Sequence, residues 1–405
     1  MKLAACLIAS AFANRRYEED KVIALDNLSV GQITTLKTLN RVMNFNFWSP
    51  ESVDELVLGG TADIQVSRFF ANEFEEVFRA NDLDYKVSIQ NLQEQIDIET
   101  MFSRNNGKAH DLLKYNDYDT IKAYSQTFDG YFTYGTSFEG RDLFGVKVGS
   151  GSKVVSVDCG IHAREWISPA YCQWFMNEVR DGQFNQYLND VTFVIMPSIN
   201  PDGYVNTWNG DRMWRKNRNT GYGACVGVDL NRNYDANHAG PGASDRPCSD
   251  TYHGPSAFSE PESKAQQDHM KQYIDDGSLK AFLTFHSYSQ LIIFPYSYDY
   301  TSQAPNKAEL NSVGQEMSAA IRAVHRQSYE AGQGTDLLYA AAGGSDDWAY
   351  DAMLAAGNDG PLSYTFELRD EGRYGFLLPA NQIQPNCEEI DAAMHVVINY
   401  VIENK

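Results

Sequence analysis

Three side chains stand out because their types and spacing suit metal chemistry. His162 and Glu165 lie three positions apart in Gly160-Ile161-His162-Ala163-Arg164-Glu165-Trp166, between an extended run and a helical one, so both can face a single ion. Zinc accepts imidazole nitrogen and carboxylate oxygen together, and a catalytic zinc takes three protein ligands while leaving one position for water. His286, which closes the apolar run Ala281-Phe282-Leu283-Thr284-Phe285, is well placed as the third. Alone, the His-x-x-Glu pair is a weak signal, since a capping histidine at a solvated helix start looks the same. His110, His238, His253, His269, His325 and His395 lack this combined context.

The elements that must hold these residues read as an α/β domain from about residue 109 to 405. Extended apolar runs at 153–157, 191–196, 281–285 and 362–366 alternate with helical patterns at 166–179 and 306–326, the rhythm of a mixed central sheet flanked by helices. Several polar residues of interest follow directly on those runs, where open α/β sheets place their sites. Ahead of it, extended, helical, extended, extended, helical and extended segments follow one another between residues 22 and 89. That βαββαβ order predicts a small ferredoxin-like α+β domain. It holds no histidine or cysteine, which favours structure or inhibition over catalysis. A helical stretch at 91–102 then leads to Ser103-Arg104-Asn105-Asn106-Gly107-Lys108, read as an exposed linker that a trypsin-like protease would cut after Arg104 or Lys108.

Lys2, the apolar run from Leu3 to Phe12 and the small-x-small sequence Ala11-Phe12-Ala13 read as a signal peptide over residues 1–13, which predicts secretion. The run is too short to span a bilayer, and no later segment is long enough, so no membrane role is expected. A net charge of -21, with no Lys/Arg-rich stripe, speaks against nucleic acid as a partner. Without Cys6, five cysteines remain. Close spacing suggests pairing Cys159 with Cys172 and Cys225 with Cys248, leaving Cys387 as an inert thiol, although spacing alone does not fix connectivity.

Five segments carry a resemblance. Cys159 to Trp166, Asn200-Pro201-Asp202-Gly203-Tyr204, Asp229-Leu230-Asn231-Arg232-Asn233, His286-Ser287-Tyr288-Ser289-Gln290 and Phe366-Glu367-Leu368-Arg369-Asp370 resemble, in order, the zinc metallocarboxypeptidases of the pancreatic A and B group. The resemblance covers essentially all of 109–405, and the preceding module (residues 14–108) is similar to that group's activation segment. It implies one Zn2+ held by His162, Glu165 and His286, with Glu367 as general base. It further implies that Arg215 stabilises the oxyanion and that Asn231, Arg232 and Tyr339 clamp the substrate's terminal carboxylate. Arg164, Tyr288 and Phe376 match positions lining the cleft, and the two disulfides match bridges of B-type enzymes. Ala239 and His253 stand where a third bridge would be.

Specificity follows from Asp346, which matches the pocket-floor position where B-type enzymes carry aspartate and A-type enzymes an apolar residue. A buried carboxylate there would select Lys or Arg side chains. Ser297 and Gly334 also match the B-type pattern. In the competing structural reading, Ser345 or Asp346 merely caps a helix beginning near Asp347. The expectation is thus a secreted, monomeric zymogen that removes C-terminal Lys or Arg from peptides and proteins. The alternatives weighed are an A-type enzyme with apolar specificity, a zinc amidohydrolase acting on small acylated amino acids, and a catalytically silent zinc-binding relative.

Overall fold

The computed structural model describes residues 15–43, 45–105 and 109–405. The signal-peptide segment and Lys108 lie outside the described residues.

The N-terminal module runs β1 (Lys21–Leu25), α1 (Val30–Met43), β2 (Asn46–Ser49), β3 (Ala62–Val66), α2 (Ala71–Ala80) and β4 (Lys86–Ile89). These strands form a sheet of order β2-β3-β1-β4, all antiparallel, as the βαββαβ pattern predicts. Ile23, Leu25, Ile64, Val66, Phe74 and Phe78 pack into a core of their own. Helix α2 begins at Ala71, directly after Arg68–Phe70 form a tight 3-10 turn. Helix α3 (Leu92–Phe102) follows, with Asn91 at its N-cap.

The larger body comprises α4 (Tyr118–Ser125), β5 (Tyr131–Thr136), β6 (Asp142–Val148), β7 (Lys153–Cys159), α5 (Ile167–Asp181), β8 (Val191–Met196), α6 (Pro201–Asn209), α7 (Pro261–Asp275), β9 (Leu279–Ser287), β10 (Leu291–Phe294), α8 (Lys307–His325), β11 (Glu330–Gln333), α9 (Gly334–Leu337), α10 (Ser345–Ala355), β12 (Leu362–Leu368) and α11 (Ile383–Asn404). Its mixed eight-stranded sheet has the order β11-β10-β12-β9-β7-β8-β6-β5. The central strands β12, β9, β7 and β8 run parallel and are buried nearly throughout, which is why they read as continuous apolar runs.

Side-chain alternation separates the two faces. Val155, Val157, Ile195, Leu283, Phe285, Tyr364 and Phe366 share one core with residues of α5, α8 and α11. Val154, Val194, Met196 and Phe282 face the other way, with Met270 of α7 and Trp348 of α10. On that second face, apolar residues give way to Asp158, Thr284, His286, Thr365 and Glu367 toward the C-terminal strand ends. Parallel pairing sets Glu367 opposite His286 and Thr284 opposite Asp158. The site therefore grows out of the sheet's interior register. Disulfides join Cys159 to Cys172 and Cys225 to Cys248, and Cys387 is free and buried. No described helix is long and apolar enough to cross a membrane.

One expectation fails here. Ser103, Arg104 and Asn105 are docked on the larger body and do not form an exposed linker. Arg104 pairs with Tyr115 in an isolated bridge, and the Asn105 amide donates to the Tyr115 carbonyl at 2.8 Å. The Arg104 guanidinium lies 4.7 Å from the Trp166 ring centre and 5.0 Å from that of Trp208, and donates to the Trp208 carbonyl at 3.2 Å. Two tryptophans and a backbone acceptor recruit a residue that composition alone marks as solvated.

Candidate active site

The loop after β7 carries His162 and Glu165, and β9 supplies His286. Their ligand atoms all lie within 4.8 Å of one another, and all three residues are buried. The Nδ1 of His162 is 2.8 Å from Glu165 Oε1, and the Nδ1 of His286 is 3.1 Å from that of His162 and 3.3 Å from Glu165 Oε2. Two imidazoles and a carboxylate converging by these atoms fit zinc.

Asp229 had no role in the sequence reading, yet it is the hub behind this cluster. Fully buried, it lies 3.0 Å from His162 Nε2, accepts from Arg215 Nε at 3.1 Å and Nη2 at 2.9 Å, and accepts from the Asn231 amide at 2.9 Å. Burial opposes its charge, but Arg215 and His162 outweigh that and hold its carboxyl well below the usual range. A carboxylate on the second nitrogen fixes the tautomer and orientation of a ligating histidine. Its only sequence signal was its place two residues before Asn231.

A cavity of about 50 Å³ brings together most of the predicted site. Its lining includes His162, His286, Asn231, Arg232, Ser297, Gly334, Tyr339, Asp346 and Glu367. Asp346 sits in the first turn of α10, only 4% exposed. The N-cap of α10 is Gly344, with no side-chain cap hydrogen bond, so the capping reading of Ser345 or Asp346 fails. Burial raises the Asp346 carboxyl above its ordinary range, offset in part by its own backbone neighbourhood and Thr365. A β-carbon at Gly334 would stand 2.0 Å from Ser297 Oγ, so any larger residue there would intrude on the pocket wall. Burial, then the charges of Glu165 and Glu51, raise the Glu367 carboxyl well above the usual range.

The N-terminal module supplies the remaining wall. Glu51 lies 2.6 Å from Arg215 Nη1 through one oxygen and 2.6 Å from Arg232 Nη2 through the other. Burial opposes its ionisation, but the two guanidiniums keep its pKa low. Beside the cavity, Tyr288 donates to Asp63 of β3 at 2.6 Å, and Phe376 packs 5.1 Å from both Trp48 and Tyr288. The buried guanidinium of Arg164 stands 4.3 Å from the Phe376 ring centre. Arg212, another residue with no predicted role, forms a buried two-bond pair with Glu99 of α3 at 2.5 and 2.8 Å.

The sheet, the His/Glu/His cluster and the module plugging the cleft define a metal-dependent hydrolase closed by its own N-terminal segment. The chain belongs to the zinc carboxypeptidase family, whose profile matches residues 116–393, and the carboxypeptidase activation peptide profile matches residues 29–99. Carboxypeptidase B of Bos taurus is 40% identical over 98% of this chain and 97% of its own length. Mast cell carboxypeptidase A of Rattus norvegicus is 32% identical, covering 97% of each. The crystal structure of thrombin activatable fibrinolysis inhibitor superposes with a TM-score of 0.86 at 34% identity, covering 96% of this chain and 100% of that one. The protein is thus the zymogen of a zinc carboxypeptidase, with one Zn2+ per chain and activated by proteolysis.

Proposed function

We propose that the activated enzyme removes C-terminal lysine and arginine from peptides and proteins. The observation that carries this reading is Asp346, a buried carboxylate lining the same cavity as His162, His286 and Glu367. The greater identity to carboxypeptidase B than to mast cell carboxypeptidase A supports it.

Zinc held by His162, Glu165 and His286 would polarise the scissile carbonyl and acidify water. Glu367 would accept a proton from the attacking water and pass it to the leaving amine. Arg215 stabilises the developing oxyanion. Arg232, with Asn231 and Tyr339, holds the terminal carboxylate, which confines cleavage to chain ends; the carboxylate of Glu51 already bridges Arg215 and Arg232 in the zymogen. Arg164, Tyr288 and Phe376 line the path of the preceding residues, and Ser297 and Gly334 shape the pocket walls before Asp346. Residues 14–108 form the removable module, 109–405 the catalytic domain, and a trypsin-like protease cuts after Arg104 or Lys108. Because Arg104 is docked, Lys108 is the preferred site, and N-terminal sequencing of the activated product distinguishes them. Residues 1–13 direct secretion, and the enzyme acts as a monomer on peptide C-termini, with no nucleic-acid or membrane partner. Chelator-sensitive release of Arg from a C-terminal Arg peptide, appearing only after limited trypsin treatment, tests this reading; release of only apolar residues would refute the role of Asp346.

Glu51→Ala removes the counter-ion of two buried guanidiniums, weakening module docking by about 2–5 kcal/mol. Uncleaved E51A zymogen is expected to hydrolyse a small C-terminal Arg substrate measurably, while the uncleaved parent stays silent. Equal silence in both would remove Glu51 as the plug.

Docking should also depend on pH. Burial and Glu51 push the Glu55 carboxyl up to about 8, and burial, countered by Tyr288 and aided by Asp370, puts Asp63 at about 6. Both groups keep protons when docked that a free carboxylate with a pKa near 4 would lose, so docking takes up protons. Their contribution is complete below about pH 4 and lost as pH rises through 6 and then 8. Glu51 works the other way, but only below the ordinary carboxylate range. Nicked zymogen is therefore expected to release its module faster at pH 8.5 than at pH 5.5, followed by size-exclusion chromatography. Faster release at pH 5.5 would contradict this assignment.

A further inference from the structure

Asp158 is fully buried at the end of β7, on the face of the sheet that carries the metal cluster. A carboxylate in such a place is costly unless something positive or several donors compensate it. Among the described residues no lysine or arginine forms an ion pair with Asp158. Its partners are neutral: Thr284 Oγ1 at 2.6 Å on one oxygen and Gln266 Nε2 at 3.0 Å on the other. The Gln266 amide oxygen accepts in turn from the Tyr234 hydroxyl, so Asp158 is braced from both sides.

The Thr284 hydroxyl has a second neighbour, His286 Nε2, at 3.4 Å. A hydroxyl carries one proton. Since Asp158 can only accept when ionised, Thr284 gives its proton to Asp158 and offers a lone pair to His286. Nε2 of His286 must then bear the hydrogen, which leaves the Nδ1 lone pair free, and Nδ1 is the atom 3.1 Å from His162 Nδ1 and 3.3 Å from Glu165 Oε2. The β7/β9 register puts Asp158 opposite Thr284, and strand alternation puts Thr284 on the same face as His286. We propose that Asp158, acting through Thr284, is a positioning residue for the zinc ligand His286, the counterpart on β7 and β9 of what Asp229 does directly for His162. The inference rests on the zinc site formed by His162, Glu165 and His286. It places a negative charge behind each ligating imidazole, one in direct contact and one through a hydroxyl.

Outer partners of ligating histidines set metal affinity, and their removal typically costs about 10–100-fold. The test measures the zinc dissociation constant of the full-length zymogen by competition with a chromophoric chelator. Thr284→Val, which keeps the side chain's shape, and Asp158→Asn are each expected to weaken zinc binding by roughly 10–100-fold. Thr284→Ser, which restores the hydroxyl, should return affinity to within about threefold of the parent. The double variant should bind about as weakly as the weaker single variant, because both changes break one chain. T284V also takes a donor from buried Asp158, so the metal-free variant is expected to unfold more easily than the metal-free parent, and zinc affinity is compared where both metal-free proteins are folded. Parent-like zinc affinity in T284V, no rescue by T284S, or fully additive losses in the double variant would overturn the relay. A parent chain that binds no zinc would instead refute the metal site beneath it.

Discussion

Glu367→Gln in the activated enzyme is expected to lower kcat by about 10²–10⁴-fold while zinc content stays at one per chain. Glutamine keeps the shape and hydrogen-bonding reach of the side chain but cannot accept the proton that hydrolysis must move. Glu367 stands opposite His286 in the β12/β9 register, so the base is carried by the same rigid ladder as a metal ligand, and the substitution should leave that ladder intact. Burial and the charges of Glu165 and Glu51 raise its carboxyl above the usual range. Releasing the module removes Glu51, one of those negative neighbours, and opens the cleft. Kinetic assay with metal analysis checks the prediction. Activity within tenfold of the parent would move the base elsewhere.

Asp346→Asn should reduce kcat/KM for substrates ending in Arg or Lys by about 30- to 5000-fold, the range expected when a buried charge pair loses one partner. Hydrolysis of substrates ending in Leu or Phe should change little or improve. The asymmetry arises because a cationic side chain entering a cavity without an anion loses its hydration and gains no partner, whereas an apolar side chain no longer has to cover an ionised carboxylate. Comparison of kcat/KM across the two substrate classes measures it. An equal loss on both would assign Asp346 to the packing of α10 instead of to selectivity.

Much of this was legible in the sequence because the site is built from strand ends. Interior parallel strands read as apolar runs, so β9 and β12 could be placed, and with β9 the candidate ligand His286, whereas the role of Glu367 came only from the family resemblance. The Cys159 to Trp166 turn carried its own His-x-x-Glu signal. Other residues act through partners distant in sequence, and no local pattern reports such pairs. Asp229 acquires its role only when the turn before Asn231 folds under His162 and Arg215. Glu51 looks like a surface glutamate until the module delivers it between Arg215 and Arg232. Arg104 belonged to a stretch rich in Asn and Gly that signals a loop, and its docking against Trp166 and Trp208 depends on rings far along the chain. Glu99 and Arg212 likewise meet across the boundary between module and catalytic body. Local chemistry was therefore readable, whereas the contacts that keep the zymogen closed needed the fold.

The central claim is tested most directly by hydrolysis of matched peptides that differ only in a C-terminal Arg, Lys, Leu or Phe, using zinc-loaded protein after limited trypsin treatment. The account predicts preferential release of Arg and Lys, abolished by a zinc chelator and absent before cleavage. Preferential release of Leu or Phe would contradict it.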